Sequence, residues 1–295
     1  MRRLTLFVAF LLLTPGAFAQ DRDFSKVEIK VTKVAGTVYM LTGAGGNIGV
    51  SVGDDGIVVI DDQFAPLAPK IIQALNGITS RPIKFIINTH YHGDHTGGNE
   101  IFGREAPIIA HDNVRKRLAA GTTNISGVTP PAPKMALPVV TFNDTATIHV
   151  NGEDIRAVHF PAGHTDGDAV IFFSQSNVVH MGDDFFNGRF PFIDSQNGGS
   201  VRGLIANLDK ILAALPEDVK LIPGHGELSD KAGLRRFNDM LKGTSAAVQR
   251  EINAGKTIDQ IKAGNVLAQW NDWGKDWFVD ANGFAEMLYK DLAKK

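Results

Sequence analysis

Cysteine is the most informative absence from this chain of 295 residues. Without cysteine the protein can form no disulfide bond, use no thiol nucleophile and offer no thiolate to a metal ion. Any metal site must therefore be built from nitrogen and oxygen ligands. An excess of one charge is also lacking, since 30 lysines and arginines stand against 32 aspartates and glutamates. No basic run or stripe indicates a nucleic-acid partner.

Long apolar runs are lacking too, apart from one near the N-terminus. Arg2 and Arg3 precede an apolar run that ends at Leu13, and Ala17 and Ala19 then form a small-residue cleavage pattern. The run is shorter than the roughly 20 residues that a membrane helix needs. We therefore expect residues 1–19 to be a signal peptide and residues 20–295 one domain, periplasmic or secreted, with no membrane span after signal removal.

Short apolar segments separated by glycine-rich turns occupy much of the chain. Strand-like runs are followed by a helical pattern over residues 65–75, and helical patterns recur over residues 200–215 and 231–254. Because strands followed by helices occur twice, we predict an α/β (α+β) protein with two stacked sheets and helices outside. The pair Asn151-Gly152 predicts a hairpin, whereas residues 121–138, rich in glycine, proline and threonine, predict a long irregular connection.

Histidine is scarce, with nine in the chain, yet three of them fall within "THYHGDHTGGN", residues 89–99. Side chains two positions apart in an extended chain lie on one face, so His90 and His92 can reach one metal ion. Gly93 lets the chain turn and directs Asp94 and His95 to a neighbouring point, before a helix that begins with "TGGN". The spacing therefore indicates two metal ions rather than one.

Three later residues are candidates to complete such a site, because zinc needs three or four protein ligands. They are His164 in "PAGHTDGD", Asp183 in "HMGDDFF" and His225 in "IPGHGE", each in a turn after an apolar strand. Strand ends can converge on one rim of a sheet, where functional side chains are often found. Asp94 is also the candidate catalytic residue, because its carboxylate can orient an attacking hydroxide.

The segments "HYHGDH", "GHT", "GD" and "GHG", in this order across about residues 27–242, resemble the motifs of the metallo-β-lactamase superfamily. The resemblance implies a four-layer αββα sandwich with two Zn²⁺ ions at one edge of its two sheets. It further implies which side chains bind which ion: His90, His92 and His164 the first, Asp94, His95 and His225 the second, and Asp183 both.

The expected chemistry is hydrolysis of a small molecule. Zinc lowers the pKa of bound water to around 7 and polarises a carbonyl oxygen, so a metal-bound hydroxide can attack a carbonyl bond. The sequence predicts an exported binuclear zinc hydrolase, with a β-lactam amide as its first choice of substrate. Export would place the protein in the compartment where β-lactams are encountered. A net site charge of about +1 would attract their carboxylate.

Three alternatives stay open. Asp183 favours a lactone or thioester, because one β-lactamase subclass has a cysteine at this position. The same subclass has a lysine where this chain has Phe186. A phosphodiester is the second alternative. The third is a zinc-binding protein that keeps the site without turnover. The sequence indicates no particular oligomeric state.

Several other residues have a structural interpretation beside a functional one. We expect His111, His149, His159 and His180 outside the metal site, with His180, three residues before Asp183, the best candidate for an indirect role. Phe190, Phe192 and Arg189 follow the proposed bridging ligand and belong either to the core or to a substrate pocket. The cluster Trp270, Trp273 and Trp277 indicates a packing or dimer surface rather than a catalytic wall.

Overall fold

Two β-sheets flanked by helices form the fold in the computed structural model, which describes residues 23–124 and 127–293. In chain order the strands are β1 (Lys30–Ala35), β2 (Val38–Thr42), β3 (Ile48–Gly53), β4 (Gly56–Ile60), β5 (Ile83–Ile87), β6 (Ile108–His111), β7 (Thr122–Asn124), β8 (Gly127–Thr129), β9 (Val140–Phe142), β10 (Thr145–Val150), β11 (Glu153–His159), β12 (Ala169–Phe173), β13 (Val178–His180), β14 (Lys220–Ile222) and β15 (Ser229–Asp230). The helices are α1 (Ala68–Asn76), α2 (Gly93–Thr96), α3 (Asn99–Phe102), α4 (Asp112–Ala120), α5 (Val201–Ala214), α6 (Lys231–Asn253), α7 (Ile258–Ala263) and α8 (Ala281–Leu292). The predicted signal peptide lies outside the described residues.

The strand order of the two sheets brings distant segments together. The first sheet has the order β1-β2-β3-β4-β5-β6-β9, antiparallel from β1 to β4 and parallel from β4 to β9. The second has the order β10-β11-β12-β13-β14-β15 and contains the hairpin predicted at Asn151-Gly152. Strands β13 and β14 are parallel neighbours, so the turns that follow them start side by side.

Alternation of side chains along the strands produces three apolar layers. In β4, Val58 and Ile60 pack between the two sheets, whereas Ile57 and Val59 face outward and pack against α1. In the second sheet, Ile171 faces the layer between the sheets, and its neighbour Val170 packs among residues of α5, α6 and α8. Helix, sheet, sheet and helix follow one another, which confirms the predicted αββα sandwich.

Polar side chains define where the longer helices begin. Ser200 accepts a hydrogen bond from the amide of Gly203 at the start of α5, and Asp230 accepts one from Gly233 at the start of α6. Such caps satisfy amide groups that have no partner within the helix. The helical patterns at residues 200–215 and 231–254 correspond to α5 and α6. None of the helices described here has the length and apolar character to cross a membrane.

Residues 121–138 are more regular than predicted. The prediction of a long irregular connection is wrong for its first half, because β7 and β8 pair as a small antiparallel hairpin. A 3-10 turn, Lys134–Ala136, follows. Each hairpin strand has three residues, too few to produce an alternating pattern that the sequence could reveal. This hairpin matters for function because it borders the cavity described below.

Candidate metal centre

The histidine-rich motif lies where β5 ends. The strand stops at Ile87, the chain bends through His90, and α2 begins at Gly93. The sequence pattern predicted a helix that begins with "TGGN". The observed helix begins earlier, and α2 itself carries Asp94 and His95. His92 still has an extended backbone, with φ −63° and ψ 145°. The motif therefore divides into an extended part and a helical part.

Three histidines and an aspartate form the first group of donors. Nε2 of His90 lies 3.1 Å from Nδ1 of His92, and Nε2 of His164 lies 2.8 Å from that same Nδ1 atom. Asp183 completes the group, in which every donor atom lies within 4.8 Å of the others. His164 reaches this point from the loop after β11, so the two sheets contribute together.

The second group lies beside the first. Nε2 of His225 lies 3.4 Å from Nε2 of His95 and 3.3 Å from Oδ2 of Asp94. His225 comes from the turn after β14, whereas Asp94 and His95 come from α2. Their donor atoms also lie within 4.8 Å of one another.

Asp183 stands between the two groups. Its Oδ1 atom lies 3.0 Å from Nε2 of His95, and its Oδ2 atom lies 3.4 Å from Nε2 of His164 and 3.5 Å from Nε2 of His225. One carboxylate thus reaches donors of both groups, as a bridging ligand would. The structure brings together all seven predicted ligands, and their binding of metal stays a prediction.

The ring nitrogens of His90 and His95 that face away from the site are fixed by hydrogen bonds. Nδ1 of His95 donates to Oδ2 of Asp61 at 2.7 Å, and Nδ1 of His90 donates to the hydroxyl of Thr89 at 3.0 Å. That hydroxyl donates in turn to Asp61 at 2.7 Å. With the proton held on Nδ1, the Nε2 atom of each ring presents its lone pair to the site.

His92 and His164 are oriented in the same way from the opposite side. Nε2 of His92 lies 2.9 Å from Oδ2 of Asp194, and Nδ1 of His164 donates to the backbone carbonyl of Phe192 at 2.6 Å. The phenol of Tyr91 also donates to Asp194. The nitrogens left free, Nδ1 of His92 and Nε2 of His164, are those that face each other in the first group.

Asp61 and Asp194 were not among the residues predicted from the sequence. Asp61 was detectable in principle, because it directly follows the apolar strand β4, much as the histidine-rich motif follows the neighbouring strand β5 after one residue, Asn88. Asp194 offered no such signal, since it lies 102 residues from His92 and follows no strand. His180, proposed for an indirect role, donates from Nε2 to the carbonyl of Asn47 and accepts at Nδ1 from the amide of Gly182. It therefore supports the backbone next to Asp183 rather than a ligand side chain.

Two glycines allow the backbone to approach the donors closely. A Cβ atom on Gly46 would lie 2.1 Å from Cε1 of His95, and one on Gly224 would lie 2.0 Å from Oδ1 of Asp183. Any larger residue at either position would displace a predicted ligand. The glycine-rich turns around the site are thus a steric requirement of the donor arrangement.

Charge distribution in the site favours a bound cation. Burial alone would raise the pKa of Asp183, but the neighbouring histidines, His95 first, hold it well below its usual range. Burial would lower the pKa of His225, yet Asp183 and Asp94 raise it to about 9. Burial, with His95 next to it, places the pKa of His90 well below its usual range, so this ring is neutral, the form that binds metal.

One buried atom tests whether the residues fit a metal ion. Oδ1 of Asp183 has no hydrogen-bond donor, although Nε2 of His95 lies 3.0 Å away. Burial would lower the pKa of His95, but the nearby carboxylates, Asp183 first, raise it well above its usual range, so positive charge is favoured between these two atoms. A metal ion bound by both atoms would supply that charge and satisfy Oδ1. Imidazole and carboxylate donors in two adjacent groups are ligands that suit zinc, so the residues fit.

A cavity of about 410 Å³ opens above the donors. His92, Asp94, Asp183 and His225 form part of its lining, and the β7–β8 hairpin borders it. This volume falls within the range of small-molecule sites. The centre is therefore accessible to a substrate rather than closed like a structural metal site.

The aromatic residues that follow Asp183 divide between cavity and core. Phe192 lines the cavity, whereas Phe190 is fully buried and stacks on Phe284 at 4.7 Å between ring centroids. Arg189 lies over the ring of Trp277, 4.4 Å from its centroid. It is not among the described residues that line the cavity.

The tryptophan cluster packs chiefly on the core. Trp270 and Trp273 contact the apolar layer formed by α5, α6 and α8, as does Trp277. The ring of Trp277 also lies 5.4 Å from that of His225, between centroids. The packing interpretation therefore holds for all three, and Trp277 additionally supports a predicted ligand. His111, His149 and His159 belong to neither donor group in the described part of the chain.

Comparison with known proteins agrees with this geometry. Residues 41–225 match the model of the Metallo-beta-lactamase superfamily. A hydroxyacylglutathione hydrolase of Nitrosococcus oceani is 29% identical over 151 residues, which is 50% of this chain and 50% of that enzyme. A type 2 metallo-beta-lactamase of Bacteroides fragilis is 23% identical over 234 residues, covering 76% of this chain and 90% of that enzyme.

A solved structure shows the fold independently. The metallo-beta-lactamase from Pontibacter korlensis superposes with a TM-score of 0.61 and 19% identity, covering 73% of this chain and 99% of that one. At this identity the likeness concerns the fold alone. It agrees with the predicted fold, whereas the family model and the two relatives confirm the predicted resemblance and, at the level of the family, the predicted zinc-dependent hydrolase. The chain belongs to the metallo-beta-lactamase superfamily.

Proposed function

We propose that the protein hydrolyses a carbonyl bond of a small molecule, a lactone or thioester, with two zinc ions held by the seven donors. The observation that carries the proposal is the position of Asp183, whose carboxylate reaches both donor groups at the floor of an open cavity. A relative named hydroxyacylglutathione hydrolase supports an acyl substrate. The match spans half of that enzyme, so its substrate is not transferred whole.

Bound zinc would supply an activated water and polarise the carbonyl oxygen, so no protein nucleophile is needed. The chain's own residues would hold the zinc ions and orient the water and the histidine rings. Asp94 is the more accessible of the two carboxylates, with its side chain 28% exposed against 4% for Asp183. It can accept a hydrogen bond from a water in the cavity and direct that water toward the substrate. Asp61 and Asp194 keep the histidine rings in the tautomers that the site needs.

A β-lactam amide is the second candidate. The Bacteroides fragilis relative, named a metallo-beta-lactamase, and the export expected from residues 1–19 support it. One local feature speaks for the first candidate instead: Phe186 is buried and its ring stacks on His225 at 5.1 Å between centroids, so no cation stands at that position to bind a carboxylate.

A substrate panel tests the proposal. Zinc-loaded protein would be assayed with a γ-lactone, an acyl thioester, a penicillin and a phosphodiester under one set of conditions. We expect the lactone or thioester to have the highest kcat/KM. A higher value for the penicillin would favour the second candidate, and one for the phosphodiester would refute carbonyl chemistry. Turnover of none, with two zinc ions bound, would indicate a non-catalytic zinc-binding protein.

A further inference from the structure

Two large apolar side chains are exposed at the mouth of the cavity. Val128, on β8, is 79% exposed, and Phe278, in the segment before α8, is 67% exposed. Both line the cavity, which they approach from separate parts of the chain. Deeper in the same cavity lie Phe186 and Phe192. Apolar surface thus continues from the rim, formed by Val128 and Phe278, toward the metal donors, as in sites that bind an apolar ligand group.

Cationic groups contribute little to the same lining. Arg117 is the sole lysine or arginine among the described lining residues. Its Nε and Nη2 atoms donate to both carboxylate oxygens of Asp166 at 2.7 and 2.6 Å, and its Nη1 atom donates to Asn197 at 2.6 Å. The guanidinium also lies over the ring of Tyr91. Arg117 is therefore occupied by its neighbours and is not available to pair with a substrate carboxylate.

From these observations we propose a substrate class: a neutral carbonyl compound with an apolar chain or ring that packs between Phe278 and Val128. The inference rests on the proposed function and deepens it, because it specifies what the substrate carries beside the bond that is cleaved. The donor groups would hold the carbonyl end, and the rim would remove the apolar end from water. Each methylene fully buried in this way strengthens binding about fourfold.

Three hydroxamates, which share one metal-binding head group, separate the contribution of the tail. They are acetohydroxamate, octanohydroxamate and the monohydroxamate of suberic acid, whose chain ends in a carboxylate. Their dissociation constants for the full, zinc-loaded protein would be measured by isothermal titration calorimetry. We expect octanohydroxamate to bind roughly 10- to 100-fold more tightly than acetohydroxamate, and the carboxylate-ended chain to lose most of this gain.

Two rim variants then test whether Phe278 and Val128 cause the gain in affinity. Phe278→Ser and Val128→Ser should each reduce the octanohydroxamate gain about fivefold or more, while zinc content and acetohydroxamate affinity stay unchanged. Val139→Ser is the matched control, because Val139 is 69% exposed and does not line the cavity. The substrate class is overturned if octanohydroxamate gains nothing in the wild-type protein, if the suberate probe binds best, or if the gain survives both rim substitutions.

The binding assay and the turnover assay can fail separately. Hydroxamate affinities report on the rim whether or not the protein cleaves anything. A tail effect that depends on Phe278 and Val128, without turnover of any lactone or thioester, would contradict the proposed reaction and support the apolar rim. Turnover of lactones or thioesters with no tail effect would support the reaction and refute the rim.

Discussion

Nε2 of His92 and Oδ2 of Asp194 lie 2.9 Å apart. Because Nδ1 of His92 faces His90 and His164, the proton of the imidazole belongs on Nε2, from which it is donated to Asp194. The carboxylate also accepts hydrogen bonds from the hydroxyl of Tyr91 and from the amide of Asn197. Asp194 therefore fixes both the tautomer and the plane of a predicted zinc ligand.

Asp194→Asn should weaken zinc binding at the first group by about 10- to 100-fold, as loss of a partner behind a metal-bound histidine does. Competition with a chromogenic chelator would measure it. Asp209→Asn, which alters a surface carboxylate paired with Lys242, is the matched control. Equal zinc affinities for wild type and Asp194→Asn would contradict the role assigned to this contact.

Zinc-replete protein should contain about two zinc ions per chain, since the donors form two groups. His90→Ala should lose mainly one ion and His225→Ala mainly the other, because each belongs to a different group. Elemental analysis after gel filtration would give the ratios. A single ion in the wild type, or complete loss of both ions from either variant, would show that the groups do not act as separate sites.

Asp183→Asn should lower kcat/KM by roughly 10²-fold or more and weaken zinc retention, because it removes the charge shared by both groups. Asp94→Asn should impair turnover more than zinc content, since Asp94 faces the cavity as well as the donors. Activity and zinc content would be measured on the same samples. Wild-type kcat/KM in both zinc-replete variants would disprove the proposed mechanism.

Gly46→Ala should disturb the second donor group, because the added Cβ atom would lie 2.1 Å from the ring of His95. We expect a loss of about 1–3 kcal/mol in the free energy of unfolding, typical of a forced displacement in a packed region, and reduced zinc content. Gly93→Ala is a useful control within the motif, since no atom lies within 4 Å of its added Cβ. Denaturant unfolding and elemental analysis would compare the two.

His111 should contribute a loss of stability at mildly acidic pH. Its ring stacks on that of His159 at 3.7 Å between centroids, and burial and His159 lower its pKa, against the opposing charges of Asp112 and Asp166. The folded protein thus binds a proton there less readily than the unfolded chain, whose histidines titrate near pH 6.5. Stability is therefore present above about pH 6.5 and is lost as the pH falls below it.

The substitution His111→Asn removes this titration while keeping a side chain that can accept the amide hydrogen bond of Asn113 at the start of α4. Unfolding free energies between pH 7 and pH 5 should fall less steeply in the variant than in the wild type. Parallel curves for the two proteins would rule out a contribution from His111.

The seven residues that the structure brings together could be named from the sequence because they follow local patterns, and their binding of metal stays a prediction. His90 and His92 are two residues apart, and His164, Asp183 and His225 each stand in a glycine-flanked turn. The polar residues that orient them follow no local rule. Asp61 lies 34 residues from His95, and Asp194 lies 102 residues from His92, so only the folded chain brings them into contact.

The layers of the fold were also predictable, since alternating strands and amphipathic helices have clear periods. The β7–β8 hairpin was not, because three-residue strands carry no period. Its position over the cavity depends on contacts with other segments, such as the hydrogen bond from Asn197 to the carbonyl of Thr123. The substrate-facing rim is therefore the part of the site that sequence patterns describe least.

Each donor group draws on both sheets, with His90 and His92 from the turn after β5 meeting His164, and His95 meeting His225. Neither half of the sandwich holds all members of either donor group. An ion bound here would connect the two sheets. Zinc binding and the stability of the contact between the sheets would then be coupled. Occupancy would then set the melting temperature, rising with free zinc by the logarithmic law of ligand linkage. Removal of zinc would weaken the whole contact between the sheets.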